Sequence, residues 1–168
     1  TAAQVRRDVM SVGCTGSPTK GYDVRALAEG IGRVLDGPTV QQVALVGVGN
    51  LGRAILAYFA GRRPNLKIVV AFDRDAAQAG RVVHGCPCHH VDELSRVVAE
   101  LGVTVAIIAV PAGEAQAVAD LLVAAGIRGV LNFAPRPLRA PAGVYVEHVD
   151  MTTSLEKVAF FARRCASA

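Results

Sequence analysis

Apolar residues in this chain come in short runs that alternate with helical patterns. The runs predict strands at 43–47, 67–72, 103–109, 129–132 and 144–147, and helices that begin near residues 50, 92, 112 and 152. The run "VTVAIIAV" is almost continuously apolar, which is typical of a strand covered on both faces. A parallel sheet between helical layers follows from this, so we predict a Rossmann-type, doubly wound α/β fold.

The first 37 residues do not follow this alternation. The segments "AAQVRRDVM" and "DVRALAEGIGRVLD" predict short helices, and the turn-rich "GCTGSPTKGY" lies between them. Two short helices and a loop cannot bury a core, so we expect the chain to begin partway through a small N-terminal domain. We therefore predict a partial DNA-binding domain at 1–37, a nucleotide-binding domain at 38–150 and a C-terminal helix at 151–168.

The segment "VALVGVGNLGRAI" joins a predicted strand to a predicted helix through Gly47, Gly49 and Gly52. The first glycine permits a tight turn, the second lets the backbone approach a pyrophosphate, and the third lets helix and strand pack closely. Asp73 lies 21 residues beyond Gly52, where a carboxylate accepts hydrogen bonds from an adenosine ribose and repels a 2′-phosphate. The pattern predicts an NAD site, with Arg74 softening the preference over NADP. The alternative is that the glycines serve only a tight turn.

Two further loops follow predicted strands. In doubly wound sheets the ligand lies across the carboxyl ends of the strands. The loops "AVPAGEA" and "NFAPRPL" therefore supply further predicted contacts to the dinucleotide, at Val110, Pro111, Asn132, Phe133 and Ala134. Pro111 has the alternative role of starting the next helix.

Catalytic chemistry is not evident in the sequence. The histidines lie in or beside predicted strands without a Lys, Tyr or Ser partner that suggests a dyad. They are His84, His89, His90 and His148. In "HGCPCHHVDEL", Cys86 and Cys88 depart from the common Cys-x2-Cys spacing and no second ligand pair follows, so we interpret them as structural thiols rather than zinc ligands. We expect no catalytic and no metal-binding residue.

Composition and charge restrict the partners. The chain of 168 residues is 52% hydrophobic and 19% charged, which is typical of a compact core. No apolar run approaches the roughly 20 residues needed to cross a bilayer, and the start lacks a signal peptide, so we expect a cytoplasmic protein with no membrane partner. The net charge is +4, and basic residues cluster near both ends, as in "QVRRD" and "FARRC". Basic ends favour an anionic partner such as nucleic acid.

The N-terminal segment contains residue types that are typical of a DNA-binding domain. Gln4, Arg6 and Arg7 occupy one predicted helix, and Lys20 and Tyr22 lie in the loop after it. A winged-helix domain places a helix in the major groove and a basic loop in an adjacent groove. A solvated charged helix is the alternative.

The C-terminal segment "TTSLEKVAFFARR" predicts an amphipathic helix capped by Thr152 or Thr153. Its adjacent Phe160 and Phe161 exceed what one face of a small domain usually buries. The helix therefore either contacts a second copy of the chain or packs on its own sheet.

Six stretches together resemble the Rex family of redox-sensing transcriptional repressors. They are "AAQVRRDVM", "GSPTKGYDVRAL", "GVGNLGRAIL", "FDRD", "LLVAAGIRGVLNFAP" and "VEHVDMTTSLEKVAFF", in family order. The resemblance implies a homodimer with an N-terminal winged-helix domain and a Rossmann domain that binds NADH and NAD⁺ competitively. It implies that NADH releases operator DNA, that the C-terminal helix is exchanged between subunits, and that further helices precede "AAQVRRD".

The resemblance also implies roles for single residues. Tyr58 would lie near the nicotinamide and pair with Asp150 of the partner subunit, and Met151 stands where the family often has an aromatic or apolar residue. The expected nucleotide contacts are Gly47, Val48, Gly49, Asn50, Leu51, Gly52, Tyr58, Asp73, Arg74, Val110, Pro111, Asn132, Phe133, Ala134, Asp150 and Met151. The expected DNA contacts are Gln4, Arg6, Arg7, Lys20, Gly21 and Tyr22.

Two other functions fit the glycine motif. A small NAD-dependent dehydrogenase or reductase subunit would turn over NADH with a small carbonyl substrate. A CoA-binding Rossmann module, like that of the succinyl-CoA ligases, would bind CoA more tightly than NADH. We prefer the repressor to both alternatives because the sequence combines the nucleotide motif with a basic N-terminal segment and shows no evident catalytic groups.

Overall fold

The computed structural model describes residues 1–17, 21–36, 40–62 and 65–165. The chain divides into two compact units. The N-terminal unit comprises Thr1–Gln41 and Pro64–Leu66, and the sheet unit comprises Gln42–Arg63 and Lys67–Ala168. The predicted break at Gly37 and Pro38 lies outside the described residues.

The N-terminal unit contains helices α1 (Ala2–Ser11) and α2 (Val24–Asp36), as the sequence predicted. The hydroxyl of Thr1 accepts a hydrogen bond from the Gln4 N–H, which caps α1. None of the α1 residues is buried, and Cys14, just beyond the helix, donates through its Sγ to the Ala26 carbonyl of α2. The loop between the helices is closed by a short antiparallel bridge between Ser17 and Gly21.

The sheet unit is built on seven strands in the order β3-β4-β2-β1-β5-β6-β7. The pairs β2–β4, β1–β5, β5–β6 and β6–β7 are parallel, and β3–β4 is antiparallel. This topology confirms the predicted doubly wound parallel sheet. The strands are β1 (Gln41–Val46), β2 (Leu66–Asp73), β3 (Val82–Val83), β4 (Cys86–His90), β5 (Val105–Ile108), β6 (Gly129–Asn132) and β7 (Tyr145–His148).

The β3–β4 hairpin was not among the predicted strands. Its turn consists of His84 and Gly85, which both have positive φ angles of 49° and 79°. Two-residue hairpin turns need this geometry and usually carry Asn or Asp at the first position. A histidine there gives no turn signal, and this explains the omission.

Four helices accompany the sheet in its unit: α3 (Asn50–Phe59), α4 (Leu94–Leu101), α5 (Ala115–Ala124) and α6 (Met151–Cys165). The predicted start at Asp92 is wrong for α4, because residues 91–93 form a 3₁₀ turn first. The predicted start at residue 112 is wrong for α5, since the Glu114 N–H closes a turn on the Pro111 carbonyl. The helix α6 starts one residue early because Asp150, not a threonine, caps it.

The core lies between the central strands and the apolar faces of α4 and α5. Phe72, Ile108 and Leu122 are fully buried there. The last four residues of β1 and the last three of β5 are all buried, although successive side chains point to opposite faces of the sheet. Both faces of these strands are therefore covered, which explains the continuous apolar runs in the sequence. This core fixes the carboxyl ends of β1, β2 and β5, where the predicted nucleotide contacts begin.

The helix α6 differs from the others because all of its residues are exposed. Leu155 is 69% exposed and Phe161 is 55% exposed. The alternative that α6 packs on its own sheet is therefore wrong. No helix among the described residues is long and apolar enough to cross a membrane.

Candidate nucleotide-binding site

The glycine loop follows β1 and leads into α3. Gly47 has a φ angle of +98°, a conformation that favours glycine, and its N–H donates to the Phe72 carbonyl of β2 at 2.8 Å. A Cβ on Gly47 would meet the Ala109 carbonyl oxygen, and a Cβ on Gly52 would overlap the Gly47 carbonyl. Both glycines therefore allow the turn to fit between β5 and α3.

Gly49 has a different role. It stands at the N-cap of α3 with a φ angle of −70°, and a Cβ added to it would meet no atom within 4 Å. The fold does not require glycine at this position. Open space beside the N–H groups at the start of a helix is instead what a pyrophosphate needs.

Asp73, the last residue of β2, is tied to the glycine loop. Its Oδ2 accepts from the Val48 N–H at 2.6 Å, and its Oδ1 accepts from the Asp75 N–H at 2.9 Å. Each carboxylate oxygen can accept more than one hydrogen bond, so acceptor capacity for a ribose hydroxyl remains. The Asp73 carboxylate thus fixes the glycine loop through Val48 and also lines the groove.

A groove of about 470 Å³ lies at the carboxyl ends of β1, β2 and β5. Strand order reverses between β1 and β5, and ligands of doubly wound folds bind at such a crevice. The volume is within the ordinary range for small-molecule sites. Six predicted contacts line the groove, namely Gly47, Gly49, Asp73, Arg74, Val110 and Pro111.

The other predicted nucleotide contacts do not line this groove. They are Val48, Asn50, Leu51, Gly52, Tyr58, Asn132, Phe133, Ala134, Asp150 and Met151. Val48 and Gly52 are buried in the loop and helix that form the end of the groove. Their contribution is to shape the backbone.

Asn132, at the end of β6, is 1% exposed and uses its amide within the protein. Its Nδ2 donates to the carbonyls of Ala134 and Arg136 at 3.2 and 2.9 Å, and its Oδ1 accepts from the Ala134 N–H. The Nδ2 also lies 3.0 Å from His148 Nδ1. The side chain therefore holds the turn that carries Phe133 and Ala134.

The residues that the family resemblance assigns to the nicotinamide lie on other elements. Tyr58 is 56% exposed in the last turn of α3, with the Arg62 guanidinium 4.3 Å from its ring centroid. Asp150 caps α6, where its carboxylate accepts from the N–H and the hydroxyl of Thr153. These hydrogen bonds lower the pKa of the Asp150 carboxyl. Met151 is 55% exposed.

The predicted DNA contacts lie in the N-terminal unit. Gln4, Arg6 and Arg7 are exposed on α1, and Lys20 lies outside the described residues. The structure brings Arg6, Gly21 and Tyr22 together around a second groove of about 470 Å³.

The two cysteines of β4 are buried thiols with raised pKa values. Cys86 and Cys88 are both buried in β4 and, two residues apart on a strand, lie on one face of it. Burial, with a smaller effect of Cys88, raises the pKa of the Cys86 thiol to about 11. Burial likewise raises the pKa of Cys88, with a further contribution from Asp73. Thiols with raised pKa values are poor nucleophiles and poor metal ligands.

The sequence analysis missed two groups beside the groove. Glu114 forms an ion pair with Arg74, with 2.5 Å between Oε1 and the guanidinium nitrogen. His90, at the end of β4, donates from Nε2 to the Arg74 carbonyl at 3.0 Å. Both lie far from Arg74 in the chain, so no local pattern could have indicated them.

Comparisons with known proteins show the family of this chain. The sequence model of the CoA binding domain family matches residues 39–136. The redox-sensing transcriptional repressor Rex of Listeria welshimeri is 40% identical over 160 residues, which are 95% of this chain and 74% of that protein. This chain belongs to the Rex family.

Solved structures of a Rex-family repressor, RSP, extend the comparison. The structure of RSP with β-NAD⁺ and operator DNA has a TM-score of 0.87 and 29% identity, covering 98% of this chain and 76% of that chain. The structure of RSP with β-NADH has a TM-score of 0.82 and 27% identity, with the same coverage. The alignments thus include residues of both units of this chain.

Proposed function

We propose that this chain binds NADH and NAD⁺ competitively at the groove and acts as a redox-sensing repressor, which leaves operator DNA when NADH is bound. The groove carries the proposal, because the glycine loop, the open space beside Gly49 and the carboxylate of Asp73 converge there. RSP, a relative with the same fold, is known with β-NAD⁺ and operator DNA and with β-NADH. A repressor acts where bacterial DNA is, in the cytoplasm.

The groove favours a sensor over an enzyme. Its titratable lining residues are Asp73, Arg74 and Glu114. Asp73 accepts two backbone N–H groups, and Arg74 and Glu114 pair with each other. A hydride-transfer enzyme needs a proton donor or acceptor within reach of its substrate. With these groups engaged, the bound dinucleotide serves as a signal rather than a reagent.

Discrimination between the two nucleotides has a physical basis in the predicted contacts. NAD⁺ carries a positive pyridinium ring, whereas the ring of NADH is neutral. Val110, Pro111, Phe133 and Ala134 carry no charge, so burying the neutral ring against them costs less than burying the cation. A differential affinity of about 3 kcal/mol changes the ratio of two protein states more than a hundredfold.

The two ends of the chain would convert this difference into DNA release. Arg6 and Tyr22 border a groove beside a short bridged loop, an arrangement that suits contacts with a DNA backbone. The helix α6 exposes Leu155, Val158 and Phe161, which a second copy of the chain would cover. In the proposed homodimer, α6 is exchanged between subunits.

Nucleotide titrations test the proposal. We expect NADH fluorescence to report binding, NAD⁺ to displace NADH, and CoA to displace it poorly. If CoA bound more tightly than NADH, the result would favour a CoA-binding module, an alternative that the family match over residues 39–136 supports. Steady loss of NADH absorbance with a small carbonyl compound would favour a dehydrogenase.

A pair of alanine variants locates the site. Gly49→Ala keeps an allowed φ angle and meets no protein atom, so it is expected to leave the fold intact and weaken NADH binding by tenfold or more, about 1.4 kcal/mol. Gly129→Ala is the control, because its Cβ makes only an ordinary contact with Val105, away from the groove. Equal NADH affinity in both variants would contradict the proposed site.

A further inference from the structure

The ion pair between Arg74 and Glu114 spans the crevice of the nucleotide groove. Arg74 follows β2 and Glu114 follows β5, and these two strands lie on opposite sides of β1. The pair therefore crosses the carboxyl end of β1, directly beside the glycine loop. Both residues line the groove.

Arg74 stands where a cation would admit NADPH. In Rossmann proteins that bind NADP, an arginine near the end of the second strand accommodates the 2′-phosphate. Arg74 directly follows Asp73, the residue that we expect at the adenosine ribose. By charge alone, an unpaired guanidinium here would attract a phosphate of nearly two negative charges and offset the repulsion from Asp73.

Glu114 removes this attraction. Its carboxylate does not cap α5 but points to the Arg74 guanidinium, which it contacts at 2.5 Å. The side chain of Glu114 is about half as exposed as that of Arg74, at 34% against 72%, so the carboxylate is the better fixed partner. The Arg74 backbone is itself held by His90, whose Nε2 donates to the Arg74 carbonyl.

The neighbouring guanidinium is engaged as well. Arg53, in the first turns of α3, donates from Nε to the Val48 carbonyl at 3.1 Å and from a terminal nitrogen to Gln78 Oε1 at 2.8 Å. Arg74 and Arg53 thus both have protein partners. A 2′-phosphate would instead meet the Asp73 carboxylate beside a guanidinium that Glu114 already neutralises.

We infer that Glu114 is a specificity-determining residue, which excludes NADPH by holding and neutralising Arg74. This inference rests on the proposed function, because it assigns a selectivity to the same groove. Asp73 alone would leave Arg74 free to recruit the 2′-phosphate. The pair makes the groove specific for a dinucleotide with an unmodified adenosine ribose.

The test is a titration of the whole chain with NADPH and NADH at low salt, followed by nicotinamide fluorescence. Glu114→Gln is expected to raise the ratio of NADPH affinity to NADH affinity by about 3- to 10-fold, because Arg74 becomes available for a charge-assisted hydrogen bond. The double variant Arg74→Gln with Glu114→Gln is expected to return to the wild-type ratio. The gain in Glu114→Gln should shrink as salt is added.

Glu100→Gln is the matched control, because Glu100 also forms an exposed ion pair, with Arg96 on α4, and does not line the groove. Glu114→Ala is a second variant that removes the same carboxylate and should give the same shift. An unchanged ratio in Glu114→Gln and Glu114→Ala, or an equal shift in Glu100→Gln or in the double variant, overturns the inference while NADH binding stands. A wild-type chain that does not bind NADH overturns the proposed function and the inference with it.

Discussion

The sheet and the terminal helices α1 and α6 differ in the burial of their apolar side chains. Between the strands and helices α4 and α5, residues such as Phe72 and Leu122 are fully buried. The helices α1 and α6 contain no buried residue, whereas Cys14 and Gly30 are buried in the N-terminal unit. The sheet covers its apolar side chains, whereas α6 leaves its apolar side chains exposed.

This difference in burial suits the buried sheet to nucleotide binding and the exposed helices to the response that reaches DNA. A nucleotide site needs fixed backbone geometry, which the buried core supplies at the ends of β1, β2 and β5. A response that reaches DNA needs elements that can exchange partners, and weakly buried helices have few internal contacts to lose. The following predictions test this division, from the largest expected effect to the smallest.

Substitution of Gly52, in the first turn of α3, should damage the sheet unit most. A Cβ at Gly52 would overlap the Gly47 carbonyl, and neither backbone can move without disturbing the contact between α3 and β1. We expect Gly52→Ala to lower the free energy of unfolding by about 3 kcal/mol and to abolish NADH binding. Thermal unfolding and NADH titration measure both effects. Gly129→Ala serves as the control, and equal stability of the two variants would contradict the packing argument.

Removal of the Asn132 amide should destabilise the same unit by a smaller amount. Asn132→Ala leaves the Ala134 N–H and the carbonyls of Ala134 and Arg136 without this partner in a buried turn. We expect a loss of about 2 kcal/mol in the free energy of unfolding, measured by urea denaturation. Asn132→Asp keeps one acceptor for the Ala134 N–H but places a carboxylate beside two carbonyls, so it should not rescue stability. A neutral result for Asn132→Ala would mean that the amide is not structural.

Changes on α6 should affect association and leave the sheet intact. Phe160 and Phe161 are 48% and 55% exposed, and their rings contact each other edge to face. We expect Phe160→Ala with Phe161→Ala to weaken dimerisation by about 10-fold without a change in NADH affinity per chain, as measured by sedimentation equilibrium. Tyr145→Ala removes another exposed aromatic ring, on β7, and should leave dimerisation unchanged. A double variant that remains fully dimeric would remove the proposed role of α6.

The cap of α6 should give the smallest effect, and it depends on pH. Hydrogen bonds from Thr153 lower the pKa of the Asp150 carboxyl below its ordinary value of 3.8. A lowered folded-state pKa means that the ionised group stabilises the helix above pH 3.8, and that this contribution is lost as the pH falls through the folded-state pKa. Asp150→Asn can still cap the helix, so we expect circular dichroism to show slightly less loss of helix in acid than in the wild type. Identical acid profiles would show that the charge contributes nothing.

The sequence predicted the parts of the fold that rest on local pattern. The apolar runs and the glycine spacing predicted the parallel sheet and the loop before α3, because burial on both faces and a tight turn each leave a local signature. The hairpin at His84 and Gly85 was missed because its first turn residue is unusual for positive φ. Its omission did not affect the predicted site.

Only those parts of the candidate site that have a local sequence signal could be predicted. Gly47, Gly49 and Asp73 follow from strand ends and spacing, and the structure brings them to one groove. Asn132 was predicted as a contact from its position after a strand, but the burial of its amide depends on the path of the following turn. The pairing of Arg74 with Glu114 joins residues 40 positions apart, so only the folded chain reveals it.

The central claim is that this chain converts the redox state of a bound nicotinamide into a change in DNA affinity. The most direct measurement is fluorescence anisotropy of the chain on operator DNA of RSP, repeated with saturating NADH and with saturating NAD⁺. We predict that NADH weakens DNA binding by about 100-fold relative to NAD⁺, which corresponds to about 2.7 kcal/mol of coupling. DNA binding that responds equally to both nucleotides would contradict the account.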